Sequence, residues 1–311
     1  MERFGFDAVV ITGPTCAGKT GLSIEAAKAH GCEIISMDSR LVYRGLNVGT
    51  DKPAPEHLAA VPHHLIDAAE PGERFTAADF TATCARLAAE IRSRGKLPLI
   101  VGGTCLYLKA LRGGYSFHGA DRDPALREEL KREAALRGVN ALHSELARID
   151  PRTAARLHPS DERRIIRALE VFHLTGRLPS RTRREERNPA GPPLNLIVVA
   201  MYVERKYLYE RINKRVDRMY NSGLIEETRG LIEARPGLEE WLAGVIGYAQ
   251  CLKVLAGGTA ESEAREETKK QTRRLSRSQM TWLRRMDEVV WVRAGAVTGG
   301  ALLNEIGKAC C

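Results

Sequence analysis

The seven cysteines of this 311-residue chain form no Cys-x-x-Cys pair, and its eight histidines show no cluster at zinc-ligand spacing. A zinc finger is therefore not expected, and cysteines at positions 16, 32, 84, 105, 251, 310 and 311 do not read as a disulfide scaffold. The terminal Cys310-Cys311 pair lacks the tail of a lipidation signal. Nowhere do about 18 apolar residues run together, and Met1 to Asp7 carry no basic stretch leading into an apolar run. The expectation is a soluble, cytoplasmic protein without a membrane segment. Internal repeats and long low-complexity tracts are also missing.

What is present is enough apolar material, 43% of residues, for one large domain or a core with a smaller second one. The net charge of +9 favours a polyanionic partner, but it suits a merely soluble protein as well, so its distribution decides. From Arg122 to Arg187 there are 16 Lys and Arg against 11 Asp and Glu, more than half the surplus in about a fifth of the chain. A second basic stretch, Arg265 to Arg285, holds eight Lys and Arg against two acids, with Thr281-Trp282 interrupting it. Two such regions beside a catalytic core suggest an RNA cradle.

Ala8 to Thr12 is a short, continuous apolar run ending at a glycine, the pattern of a buried parallel strand, and Gly21 to His30 follows with Leu22, Ala26 and Ala29 at helical spacing. The alternation returns with a strand at Glu33 to Met37, a helix near Ala77 to Arg94, and strands at Leu97 to Val101 and Leu194 to Tyr202. It predicts an α/β core with a parallel sheet, residues 1–118 and 191–311. Residues 119–190 contain no convincing strand and read as a basic helical insertion. There Asp123-Pro124 and Asp150-Pro151 have the form of a helix cap followed by a first-turn proline, with Leu126, Leu130 and Ala134 behind the first. On a helix over Asp161 to Thr175, Ile165, Ile166, Leu169 and Phe172 share one side and Arg163, Arg164 and Arg167 the other.

Gly13-Pro14-Thr15-Cys16-Ala17-Gly18-Lys19-Thr20 fits the phosphate-loop pattern in the context it requires, between a predicted strand and helix. Glycines let backbone N–H groups face phosphate oxygens, Lys19 adds a point charge, and the Thr20 hydroxyl suits Mg²⁺. Asp38 closes the second strand at the carboxyl edge, where ligands of open α/β sheets bind. It could organise a metal ion or act as a general base. Leu99-Ile100-Val101 runs into Gly102-Gly103-Thr104 without an acid, which argues against a motor or switch. Arg211, Arg215 and Arg218 recur on one helical face and could hold phosphate oxygens, or could be surface arginines paired with Glu210 and Asp217. A small-molecule kinase, a transferase acting on free adenine nucleotides and an RNA-binding switch remain alternatives at this point.

The phosphate loop, Asp38 to Gly45, Gly49-Thr50-Asp51-Lys52-Pro53 and Val101 to Thr104 together resemble the tRNA dimethylallyltransferase family. Pro62 to Leu65, Arg167 to Val171, Arg211-Ile212 with Arg215-Val216, Ile246-Gly247-Tyr248 and Gln279 to Trp282 continue the likeness in the order that family uses, over nearly the whole chain. The resemblance implies a kinase-like α/β core with a helical insertion, and transfer of a dimethylallyl group from dimethylallyl diphosphate to N6 of adenosine 37 in the tRNA anticodon stem-loop. By that likeness residues 13–20 hold the diphosphate, with Mg²⁺ on Thr20. Asp38 takes the N6 proton or orients the amine, while Thr104 and Arg215 lie along the departing charge. The segments matching the family's RNA contacts are Asp38, Ser39, Arg40 and Leu41 with Thr104; Arg127; Arg163, Arg164, Ile165, Ile166 and Arg167; Gly244, Val245, Ile246, Gly247, Tyr248 and Ala249; and Arg277, Gln279, Trp282 and Arg284. A monomer is expected. Leu41, Ser278 and Ala249 depart from the family pattern at the RNA surface, where a glutamine, an arginine and a basic residue are usual.

Overall fold

The computed structural model describes residues 5–114, 123–181 and 194–309. Six described strands form one all-parallel sheet in the order β3-β2-β4-β1-β5-β6. They are β1 (Ala8–Thr12), β2 (Glu33–Ser36), β3 (His63–His64), β4 (Pro98–Val101), β5 (Leu196–Tyr202) and β6 (Val289–Arg293). β1 is buried at every residue and pairs on both sides, Val10 lying opposite Ile100 and Val198. Its unbroken apolar character follows from that position, because neither face meets water. β3 and β6 add to the four expected strands. β3 is two residues long, too short for a periodic signal, and β6 is an edge strand whose Val290 and Trp291 are exposed.

On one face of the sheet the Lys19–His30 helix buries Leu22, Ser23, Ile24, Ala26 and Ala27. Ala29, expected on that stripe, is exposed, because the packed band follows positions 22, 23, 26 and 27 and position 29 falls past its edge. The Ala77–Ser93 helix begins with a capping box: Asp79 N–H donates to Thr76 Oγ1 and the Asp79 carboxylate accepts from Thr76 N–H. A separate helical core forms around Val42, Leu46, Val216, Leu224, Leu242 and Tyr248.

The chain divides into two compact units, Met1–Leu108 with Leu194–Cys311, and Lys109–Pro193. The domain borders expected at 118–119 and 190–191, and the Cys310-Cys311 terminus, lie outside the described residues. In the second unit the helices Pro124–Arg137, Val139–Ile149, Pro151–Ala154 and Glu162–Thr175 enclose a core of Leu130, Leu142, Leu146, Ile165 and Leu169. Its two proline-marked starts are capped as the sequence predicts. The Asp123 carboxylate accepts from Ala125 and Leu126 N–H, and Asp150 accepts from Thr153 N–H. Among the described residues no helix is long and apolar enough to cross a membrane.

The carboxyl ends of β2 and β4 approach too closely for a side chain at Gly102. A Cβ there would stand 2.0 Å from the Met37 carbonyl oxygen, and on the other side of β4 Gly102 N–H donates to Ile11 O of β1. Gly102→Ala must displace backbone rather than a flexible side chain. It is expected to destabilise the protein by about 1–3 kcal/mol, measured as a lowered midpoint in urea unfolding with an unchanged slope.

Candidate active site

A cavity of about 490 Å³ opens at the carboxyl edge of the sheet, within the first unit. Its floor is the phosphate loop. Three residues there take left-handed backbone, Gly13 at φ 144°, Cys16 at φ 64° and Gly18 at φ 93°, and Gly18 caps the following helix. Glycine adopts such angles freely, whereas Cys16 does so at some cost. Lys19 folds back over this loop, its ammonium donating to the carbonyls of Pro14 (2.8 Å) and Gly13 (3.1 Å). Desolvation pulls the Lys19 ammonium down to about 8, with the Asp38 carboxylate opposing the shift and the Arg215 charge reinforcing it.

Two side chains fix the loop from outside. Gln279, on the Glu261–Leu283 helix, accepts from Thr15 N–H at its Oε1 (2.9 Å) and donates from Nε2 to Gly103 O (2.9 Å). One amide thus joins the phosphate loop to the β4 loop. Arg215, on the Arg205–Asn221 helix, donates to Thr15 Oγ1 (2.9 Å) and Thr50 O (2.7 Å), and its Nε lies 3.3 Å from the Asp51 carboxylate. Arg211, Lys214 and Arg218 line the same cavity from the same helix face, while Leu208, Ile212, Val216 and Met219 are buried behind them. Among the described residues these arginines form no ion pair with Glu210 or Asp217, the alternative that their spacing left open. Asp217 is held instead by Lys269 (2.8 Å) and Arg265.

Asp38 faces the cavity beside Lys19. Its Oδ1 accepts from the N–H groups of Arg40 (2.8 Å) and Leu41 (3.3 Å), and no hydrogen bond from the described residues reaches Oδ2. Thr104 Oγ1 accepts from Ser39 N–H (3.1 Å), so it supports the turn after Asp38 and is not among the cavity-lining residues. Apolar walls come from Ile34, Leu41, Ile66 and Val101. The arrangement is a phosphate cradle with excess positive charge, one carboxylate with a free oxygen, and an adjoining apolar space.

A family model described as "IPP transferase" matches residues 41–286. The chain is 45% identical over 284 residues to "tRNA dimethylallyltransferase" of Geobacter sulfurreducens, covering 91% of both chains. The chain belongs to the IPP transferase family. It is 43% identical to the tRNA dimethylallyltransferase of Pelotomaculum thermopropionicum, covering 92% of this chain and 90% of that one. Among solved structures, the full-length tRNA isopentenylpyrophosphate transferase of Bacillus halodurans is similar at TM-score 0.68 and 38% identity, covering 97% of this chain and 94% of that one. A eukaryotic dimethylallyltransferase acting on tRNA is similar at TM-score 0.75 and 26% identity, covering 93% and 74%.

Within this family member the segments expected to meet RNA are of mixed exposure. Ile165 and Ile166 are core residues, 0% and 4% exposed, and fill the apolar side of an amphipathic helix as their spacing predicts. Val245 and Tyr248 are likewise buried, the latter with its hydroxyl on Glu227, and Gly247 is buried with them. Arg127 and Arg167 both donate to one oxygen of Glu170, a fully buried carboxylate, at 2.7 and 2.9 Å. Arg163, Arg164, Arg277 and Arg284 are exposed. Ser39, Arg40, Ile246, Ala249 and Trp282 are half-buried, and the exposed Gly244 accepts from Arg40 through its carbonyl. Asp51, Lys214 and His63 line the cavity without having been anticipated. Lys214 was legible at i+3 from Arg211, whereas Asp51 and His63 lie in segments that carry the family likeness but were given no role there.

Because Lys19 titrates near 8 when folded and near its ordinary 10.5 when unfolded, the unfolded chain binds more protons between those values, and this group favours folding increasingly as pH rises through them. Wild type should therefore gain stability relative to Lys19→Met between pH 8 and 10, measured as the difference in urea midpoints across that range.

Proposed function

We propose that the protein is a cytoplasmic monomer that transfers the dimethylallyl group of dimethylallyl diphosphate to N6 of adenosine 37 in the anticodon stem-loop of tRNA. The observation that carries this reading is the meeting of Lys19, Asp38 and Arg215 in one cavity, in a chain of the IPP transferase family. A diphosphate seated on the phosphate loop takes backbone N–H groups at the helix start and the charges of Lys19 and Arg215. The donor's tail then extends over the apolar walls.

The residues present suit Mg²⁺. That ion takes few protein oxygens and keeps phosphate oxygens and waters, and Thr20 and Asp38 line the cavity while the described residues contain no cluster of three carboxylate, histidine or cysteine ligands. Bound there, it would neutralise charge on the diphosphate.

An adenosine within a stacked loop cannot bring its exocyclic amine to a recessed carbon, so the base must leave the stack and enter the cavity. N6 then attacks the allylic C1, the C1–O bond breaks, and the diphosphate leaves with the bonding electrons. Arg215 and Lys19 stabilise that charge where it develops. The free Oδ2 of Asp38 takes the N6 proton, while its Oδ1 stays held by Arg40 and Leu41 N–H. Thr104 acts from behind Ser39, fixing the turn that aims Asp38. The base also fills the entrance, which keeps water from an electrophile with carbocation character. The exposed Arg163, Arg164, Arg277 and Arg284 support RNA phosphate contacts in this reading.

Asp38→Ala is expected to lower turnover by about 10² to 10⁴ while retaining tRNA affinity, followed by single-turnover kinetics and filter binding. The assignment itself is checked by mass spectrometry of nucleosides from unmodified tRNA incubated with protein, Mg²⁺ and dimethylallyl diphosphate. Isopentenyladenosine is expected with that donor and not with ATP in its place; ATP consumption without a modified base would favour a phosphotransferase.

A further inference from the structure

The Asn47–Gly49 turn points three successive backbone N–H groups at a single carboxylate far away in sequence. Glu227, in the first turn of the Leu224–Ala234 helix, accepts from Asn47 (3.0 Å) and Val48 (2.8 Å) at Oε2, and from Gly49 (3.0 Å) and the Tyr248 hydroxyl (2.6 Å) at Oε1. Tyr248 is fully buried, and burial together with the Glu227 charge holds its phenol protonated well above the usual range. Its ring lies against the turn so closely that a Cβ on Gly49 would stand 2.4 Å from it. The turn is therefore locked by charge on one side and by shape on the other.

The next two residues are the ones that grip Arg215. Thr50 O accepts from its Nη2, and Asp51, at a left-handed φ of 55°, faces its Nε. The same guanidinium reaches Thr15 in the phosphate loop. Lys52, almost fully buried, closes the turn from below by donating to Tyr43 O, Asn47 Oδ1 and Asp67. We infer that Glu227 is a positioning residue for the phosphate site: by fixing residues 47–49 it holds Thr50 and Asp51 where they orient the Arg215 guanidinium toward the bound diphosphate. The inference rests on the reading of the cavity as a diphosphate site and adds a residue outside it. Glu227 is not among the cavity-lining residues.

An amide in place of this carboxylate keeps the shape but has one accepting oxygen and an NH₂ that opposes the N–H groups it faces. A buried donor left without an acceptor carries the full penalty of its desolvation. The test uses inorganic diphosphate with Mg²⁺ as the probe, titrated calorimetrically into the full chain, with thermal unfolding recorded for each variant. Glu227→Gln is expected to remain folded and to weaken diphosphate binding about tenfold, with a matching rise in KM for dimethylallyl diphosphate and a smaller change in kcat. In the Arg215→Lys background, which has already lost the planar guanidinium, the same substitution is expected to change affinity less than twofold, because coupled residues lose the effect only once. Equal losses in the two backgrounds, or a folded Glu227→Gln with wild-type affinity, would overturn the inference. If Glu227→Gln does not fold, Tyr248→Phe, which removes one of the four bonds and keeps the ring against Gly49, enters the same cycle under the same criterion. Wild type failing to bind diphosphate at all would instead sink the reading of the cavity.

Discussion

A single guanidinium ties together the parts of this site. Arg215 reaches a hydroxyl in the phosphate loop, a carbonyl and a carboxylate in the 50–51 turn, and rides on a helix whose opposite face is buried in a separate core. Its planar fork allows three partners in different directions at once, which an ammonium on a flexible stem cannot reproduce. Charge-assisted hydrogen bonds from a half-buried group are worth more than exposed ion pairs, because water competes less for them. The phosphate loop, the Asp51 turn and the Arg205–Asn221 helix are thereby held in one arrangement before any ligand arrives. Gln279 completes that arrangement from the other side, clipping the loop to the end of β4 through two backbone groups.

The electrostatic consequence is a cavity with more positive than negative charge. Lys19, Arg211, Lys214, Arg215 and Arg218 line it against Asp38 and Asp51. Burial strips water from the Lys19 ammonium and depresses it, more than the neighbouring Arg215 charge does, and that cost raises the free energy of the unliganded site. An anion would relieve it, so part of the affinity for any anion is stored in the fold rather than made anew by contacts. The Asp38 carboxylate lines the same cavity, near enough to Lys19 to oppose its shift. It is held there by backbone N–H groups rather than by a cation, which leaves its second oxygen uncommitted.

Features whose cause is local were legible in the sequence. The phosphate loop sits between a run that can only be a doubly covered strand and a helix start, and Asp123-Pro124 and Asp150-Pro151 cap helices as their side chains dictate. The stripe of Arg211, Arg215 and Arg218 opposite Leu208, Ile212 and Val216 followed from 3.6-residue spacing alone. What escaped has partners distant in the chain. Glu227 looks like an ordinary acid in a first helical turn, yet the groups it serves lie 178 to 180 residues earlier. Gln279 reads as part of a basic, RNA-facing helix, but both ends of its amide are taken by backbone. Periodicity already placed Ile165 and Ile166 on the packing side, and the motif likeness assigned their whole segment to RNA without separating the face that presents from the face that supports.

The strand order carries a consequence for how the chain is made. β1 precedes the other described strands in the chain and is one of the two central strands of the sheet, but its neighbours are Pro98–Val101 and, much later, Leu196–Tyr202. Its second edge cannot pair until the chain has been made as far as Leu196–Tyr202. The helices of the second unit, by contrast, find their core within one contiguous stretch and need nothing that follows. During synthesis a finished helical module is therefore tethered to an unfinished sheet, and long-range parallel pairing is the slow, exposed step. For this chain the burden on the cell's folding assistants falls on β1, the strand that runs directly into the Gly13–Thr20 loop.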